Sequence, residues 1–292
     1  MILLKFLRQF LMLMLISAST LSVHAQMILQ VVSKKVQTSF KFEEGEKLDI
    51  RAERANISIE SWDKNEVQLE LELVAKHSER STAELAIKGM KYQAERIGTT
   101  VFLRNHLSML KVAAHIRVNY KIKVPQNCNL VLQNELGQVD IRGVSGDIRL
   151  TGELCQFNLE GISGKLKVDA NLGDLLVRST STEASIKLQR ATLKLDAPLG
   201  NYLLEGLYAQ IYVSIPVGQK SLHLDIKGDK SNIFIQNPQH RAYSYQLEVK
   251  YGDLRLPNQA GFQAENNRVS YTALDSQKSI TAYTSFGNIV LE

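Results

Sequence analysis

From Cys128 onward the chain falls into blocks of nine whose positions keep one character through ten blocks. The first positions are Cys128, Gly137, Gly146, Cys155, Gly164, Gly173, Thr182, Ala191, Gly200 and Ala209, all of them small. The third and fifth positions carry no charge, from Leu130 and Leu132 in the first block to Ile211 and Val213 in the last. The second and sixth are always polar, from Asn129 and Gln133 to Gln210 and Ser214. Alternation with a period of two is the mark of a strand with one buried face. Such short strands cannot bury that face alone, but stacked in register they share a continuous core. The repeat therefore implies an all-β fold, a single-stranded β-solenoid (β-helix). Small residues suit its corners, where the chain needs a positive φ or a close backbone approach.

The remaining positions bear on the number of strands per turn. The ninth reads Leu136, Ser145, Leu154, Ser163, Leu172, Ser181, and the eighth reads Glu135, Val144, Glu153, Ile162, Asn171, Thr180. Both alternate, which favours an 18-residue turn of two strands and two unlike corners, with two parallel sheets about 10 Å apart. Arg142, Glu160, Arg178 and Asp196 then form a ladder of opposite charges, while Arg149 and Lys167 stack as like charges. The alternative is a 27-residue turn of three strands. The two cysteines distinguish these arrangements, because Cys128 and Cys155 lie 27 residues apart. Three strands per turn stack them within bridging distance. Two strands per turn put them on opposite sides, as buried free thiols.

Four segments follow: 1–25, 26–127, 128–217 and 218–292. The first has Lys5 and Arg8, an apolar run from about Phe10 to Ile16, and small residues ending at Val23-His24-Ala25. This is a secretory signal peptide cleaved after Ala25, and its apolar run is short for a bilayer span. Its removal lowers the formal net charge from +5 by the two cations, to +3, too little to argue for nucleic acid. No later stretch reads as a transmembrane helix. The expected location is the periplasm, the outer surface or the medium.

Residues 26–127 read as a β-rich region capping the solenoid. Val67, Leu69, Leu71 and Leu73 alternate with Gln68, Glu70 and Glu72, and the run from Val112 to Val124 alternates with Arg117, Lys121 and Lys123. The two strands are candidate neighbours, with the acidic edge facing the basic one. Residues 75–90 read as a loop or short helix, with strands near 90–95 and 100–104. Trp62 ends a short strand and reads as a packing residue. In residues 218–292 the strands continue with wider spacing, and "FGNIVLE" closes with the opening motif. Proline falls at strand ends, at Pro125, Pro216 and Pro257, where ladder pairing is interrupted.

The stretches "ANISIESWDKNEVQLELELVAK", "VNYKIKVPQNCNLVLQNELGQVDIRGVSGDIRL" and "TSFGNIVLE" resemble the bacterial putative-adhesin β-solenoid domains of unknown function. The resemblance covers most of the chain past the signal peptide. It departs at Cys128 and Cys155 and at the blocks opening with Thr182 and Ala191, where glycine is absent. It implies an exported, non-enzymatic protein, sometimes encoded near sigma and anti-sigma factors, and it supplies no catalytic residue.

The residues themselves offer little chemistry. Asp140 has Asn158 and Leu176 as expected neighbours, and Asp147 and Asp174 recur because Gly-Asp suits a turn. The histidines are scattered and no metal-ligand spacing occurs, so no metal or cofactor is expected. Arg117, Lys121, Lys123 and Tyr212 are the candidate surface contacts. The first three read either as a contact for an anionic surface polymer or as a solvated stripe paired with Glu70 and Glu72. Val131, Leu176, Leu203 and Tyr212 are apolar at outward positions and read as scattered. The expected function is an adhesin-like, non-catalytic binding or structural protein of the cell envelope, whose partner is a surface glycan or an envelope protein. The alternatives are an envelope-signalling component that contacts a membrane-bound anti-sigma-type regulator, and a glycan-active enzyme. The enzyme would need a groove with two acidic residues within about 10 Å of each other.

Overall fold

In-register parallel pairing at an offset of 18 residues runs through the repeat. Leu130 pairs with Ile148, then Leu166, Ala184 and Tyr202 in the first sheet. Val139 pairs with Phe157, then Leu175, Leu193 and Ile211 in the second. The coil is therefore two strands per turn, and the 27-residue turn is excluded. The computed structural model describes residues 29–107, 114–257, 262, 265–274 and 277–292. The segment read as a signal peptide, residues 1–25, lies outside them, as do Val112 and Ala113.

The two corners differ. Strands β8 (Asn129–Arg142) and β9 (Ile148–Glu160) each run through both sheets, bending once at a left-handed corner residue, Leu136 or Leu154, which in β8 is followed by a second positive-φ residue, Gly137. At the return corner, Val144 and Ile162 point into the core and are fully buried. This difference is the origin of the alternating eighth and ninth positions. It also relocates the positive φ. Gly146 and Gly164 are small because a Cβ there would sit 2.1 Å from the Cys128 carbonyl oxygen and 2.2 Å from that of Gly146. The left-handed residue at the first corner comes one position before the small residue, and it is not glycine.

The regular turns continue through β10 (Lys165–Asn171) and β11 (Asp174–Arg178), β12 (Ser181–Gln189) and β13 (Thr192–Asp196), β14 (Leu199–Leu207) and β15 (Gln210–Ser214), and β16 (Leu222–Asp229) and β17 (Asn232–Gln236). At both ends the stacking order departs from the chain order. Near the N-terminus, β2 (Lys47–Glu53) and β3 (Ala55–Trp62) form the rung that stacks on β8. The later strands β6 (Thr100–His106) and β7 (His115–Pro125) stack outside it. Near the C-terminus, β21 (Lys278–Ser285) and β22 (Ile289–Leu291) stack directly on β16 and β17. The earlier strands β18 (Ser244–Lys250) and β19 (Leu254–Arg255) lie outside them. The described residues thus build ten rungs, the first and last from segments that precede or follow their neighbours out of turn.

Antiparallel strands finish the ends. β5 (Lys91–Ile97) borders β6, and β20 (Arg268–Tyr271) borders β18. β4 (Glu66–His77) borders β7, and β1 (Gln30–Lys41) borders β4. The pairing of β4 with β7 sets Glu70 opposite Lys121 and Gln68 opposite Lys123, the expected acidic-on-basic neighbours. Helix α1 (Arg80–Gly89) packs its buried Ala83 and Ala86 against this end.

The core lies between the two sheets. Volume is matched across it: a Cβ on Gly152 of the first sheet would meet the Phe157 ring of the second at 2.3 Å. Some polar groups inside are paired, while others, such as the Tyr243 hydroxyl, have no hydrogen-bond partner among the described residues. The Tyr120 hydroxyl donates to Asn105 Oδ1 at 3.0 Å, and Asn105 Nδ2 donates to the Glu53 carbonyl at 2.9 Å. Cys128 and Cys155 are buried free thiols at different corners.

Candidate functional site

The basic stripe stands on β7, at the N-terminal end of the second sheet. Arg117 is exposed opposite Val74. Lys121 lies between Ser58 and Glu70, and Lys123 between Glu60 and Gln68. Lys123 also sits 5.5 Å from the Trp62 ring centroid, and Lys64 is 4.9 Å from it. The Trp62 indole N–H donates to the Glu66 carbonyl at 2.8 Å, so the ring is held at a strand end and covered by cations. Tyr212 is on the same outer face, but six strand spacings from Lys121, or about 29 Å at ~4.8 Å each. The structure does not gather these four residues into one place. Tyr212 instead stacks on Phe234, with ring centroids 4.7 Å apart and planes 7° apart. Lys194 separates it from Leu176, and Val131 and Leu203 face out from the other sheet.

The outer face of the first sheet carries two shallow grooves. One, of about 910 Å³, runs over Val131, Arg149, Lys167, Ser185, Leu203 and Asp225, which stand on successive strands. Arg149 and Lys167 are direct neighbours across the ladder, as the repeat implies. No carboxylate pairs with either among the described residues. Lys165, beside them, is engaged by Glu183 at 3.9 Å. The second groove, of about 800 Å³, is bordered by Glu135 and Glu153, which are in register with each other and with Glu53. Glu53 is held by His106 Nδ1 at 2.7 Å and the Leu107 N–H at 2.8 Å. On the second sheet the expected charge ladder is in place, with Arg142–Glu160 at 3.6 Å and Arg178–Asp196 at 3.8 Å. Asp140 accepts from Asn158 Nδ2 at 2.7 Å and is paired structurally.

A third feature follows from the single-residue corner. Its left-handed residues are Arg54, Leu136, Leu154 and Leu172 on four successive rungs, then Arg190, Tyr208, Lys230, Phe286 and Tyr251 on the next five. All point to solvent. Leu154 is 53% exposed, Phe286 58% and Tyr251 66%. The cations interleave with the rings. Lys230 Nζ donates to the Tyr208 hydroxyl at 3.0 Å and lies 5.0 Å from its ring centroid, which holds its pKa above the usual lysine value. Arg190 also lies over the Tyr208 ring, at 5.9 Å. The recurring Leu at ninth positions was the sequence signal for this ridge. It reads as a corner marker until the backbone shows that a left-handed corner residue aims its side chain outward.

The sequence pattern of the family described as Toastrack DUF4097 matches residues 45–292. The chain belongs to this family. The Toastrack match begins two residues before Lys47, the start of the β2–β3 rung. Among solved structures, a putative adhesin from Parabacteroides merdae aligns over 90% of this chain and 96% of its own, at 14% identity and TM-score 0.50. A putative adhesin from Bacteroides fragilis aligns over 89% and 97%, at 13% identity and TM-score 0.39. A putative cell adhesion protein from Clostridium sporogenes aligns over 89% and 99%, at 12% identity and TM-score 0.29. The first supports the Toastrack fold as a β-solenoid. The other two overlap too loosely to add to it. No curated protein matches the chain. No helix among the described residues is long and apolar enough to cross a membrane.

Proposed function

We propose that this Toastrack chain is a non-catalytic, adhesin-like binding module of the cell envelope that holds an extended anionic surface glycan along the outer face of its first sheet. The observation that carries this reading is the Arg149–Lys167 pair in the 910 Å³ groove. Like charges directly opposite on neighbouring strands are destabilising, and a bound anion relieves that repulsion. The groove follows the stacking direction over successive rungs, so a linear polymer can engage it by repetition, without a deep pocket. The signal-peptide pattern of residues 1–25 supports export. Arg117, Lys121 and Lys123 offer a second, weaker anionic contact, since Glu70 faces Lys121. Tyr212, stacked on Phe234, offers an apolar one.

The test uses the chain from Gln26 and an acidic envelope polysaccharide. Binding measured by calorimetry should weaken with salt and fall about tenfold in the Arg149→Gln/Lys167→Gln double variant. Undiminished binding by that variant would remove the assignment. The aligned Glu135 and Glu153 favour a second reading, a glycan-cleaving enzyme. Paired glycosidase carboxylates flank the scissile bond from two sides, whereas these stand in one column on one wall. Cleavage of the polysaccharide by the wild type, and its loss in Glu135→Gln, would establish the enzyme instead.

A further inference from the structure

The single-residue corner poses a question of residue choice. A left-handed backbone favours glycine or asparagine. At the return corner the corresponding left-handed residues are Gly143, Gly161, Ser179 and Ala197. At the single-residue corner they are leucine, tyrosine, phenylalanine, arginine and lysine. One coil meets the same backbone demand with small side chains on one edge and large exposed ones on the other, so the fold does not require the large ones.

The ridge is one residue wide. Nine rungs at ~4.8 Å make a strip about 43 Å long but only one side chain wide. A stable protein interface needs about 800 Å² per partner, so neither a second copy nor another folded protein is well matched to it. The rings also stack along the ridge. Tyr251 and Phe286 lie 4.9 Å apart at 21°, so each covers one face of the other, where a sugar would need an open face. Exposed apolar tips alternating with cations match the surface of an anionic bilayer, which takes shallow apolar insertion together with headgroup attraction. The charges decide which half makes contact. Glu53, Glu135 and Glu153 precede Arg54, Leu136 and Leu154 and would repel anionic lipid. In the other half Arg190, Lys230 and Lys250 accompany Tyr208, Phe286 and Tyr251, against one acidic residue at the same position, Asp229, which accepts from Ser285 Oγ at 2.8 Å.

We infer that the corner edge from Arg190 to Tyr251 is a peripheral membrane-binding ridge for anionic phospholipid, which lays the coil axis along the bilayer. It uses a different surface from the groove of the first sheet and stands or falls separately.

The test is co-sedimentation of the chain from Gln26, which carries every described rung, with phosphatidylglycerol/phosphatidylcholine vesicles and with pure phosphatidylcholine vesicles. Binding should favour the anionic vesicles and weaken with salt. In Tyr208→Asn/Phe286→Asn/Tyr251→Asn the partition coefficient should fall about tenfold or more, with an unchanged or raised Tm because asparagine suits the left-handed corner. Arg190→Gln/Lys250→Gln should lose only the preference for anionic vesicles, which keeps the inference testable if the triple variant misfolds. Absence of vesicle binding, or equal binding by folded variants, overturns it. So does a concentration-dependent dimer in light scattering that the triple variant abolishes, which would assign the ridge to a second copy.

Discussion

Cys128 shows how one side chain is bound to the architecture. It occupies a corner position where Gly146 or Gly164 stands in later turns, and burial pushes its thiol up to about 12. Cys155 is raised by burial too. The Tyr202 hydroxyl is pushed up to about 12 by burial, despite bonds to Thr180. Free thiols ionise near 8.5 and phenols near 10. As pH rises past these values the unfolded chain releases protons that the folded chain retains. The unfolded state then binds fewer protons, so stability declines with pH. The contribution is complete below about pH 8 and is lost progressively towards pH 12. Cys128 alone should remove about 1.4 kcal/mol per pH unit between ~9 and ~12. Urea midpoints measured from pH 8 to 11 should fall, and Cys128→Ala should flatten that fall. The buried, unbonded state of both thiols was legible from their 27-residue separation once two strands per turn were favoured. The pairing of Tyr120 with Asn105 was not, because the two residues stand on β7 and β6, outside the nine-residue repeat, where no fixed period sets which residues face each other.

Within a strand, the alternation assigns each residue to core or solvent, and the assignment can be tested on neighbours. Ile148 is 2% exposed between Leu130 and Leu166. Asp147 faces solvent, with its carboxylate accepting from the Lys165 N–H at 3.2 Å. Ile148→Asp should cost about 4 kcal/mol or more through an unpaired buried charge. Asp147→Asn keeps an acceptor oxygen and should stay within ~0.5 kcal/mol. Equal midpoints for the two in denaturant titration would contradict the strand assignment. The strands, the charge ladder and the number per turn were all readable, since each depends on spacing inside one block or between adjacent blocks. The exposed corner ridge was harder to read. Leu136, Leu154 and Leu172 look like core residues by type, and only the left-handed backbone turns them outward. The candidate contacts Lys121 and Tyr212 share an outer column, but which rungs separate them depends on stacking order.

At the scale of the whole molecule, the rungs at both ends stack out of chain order. Nothing in a local pattern announces this, because the offsets from β2 to β8 and from β16 to β21 span long excursions with no fixed period. The energetic result is that β21 and β22 are internal: they pair with β16 and β17 on one side and with β18 and β19 on the other. Deleting residues 278–292 should therefore abolish hydrogen-exchange protection in β18 as well, while β8 to β13 keep theirs. Survival of protection in β18 would show that it docks without them. The same arrangement sets a schedule for a chain emerging from the ribosome N-terminus first. Once Gln236 is out, β16 and β17 present bare edges whose partners are still 42 and 53 residues away, at Lys278 and Ile289. At translation rates of 5–20 residues per second that gap lasts roughly 2 to 11 s. During its later part, once Arg255 is out, β18 and β19 have been made but cannot take their places. The growing coil waits with an open template for strand addition, the hazard that an exposed edge always carries, until the last segment slides in between.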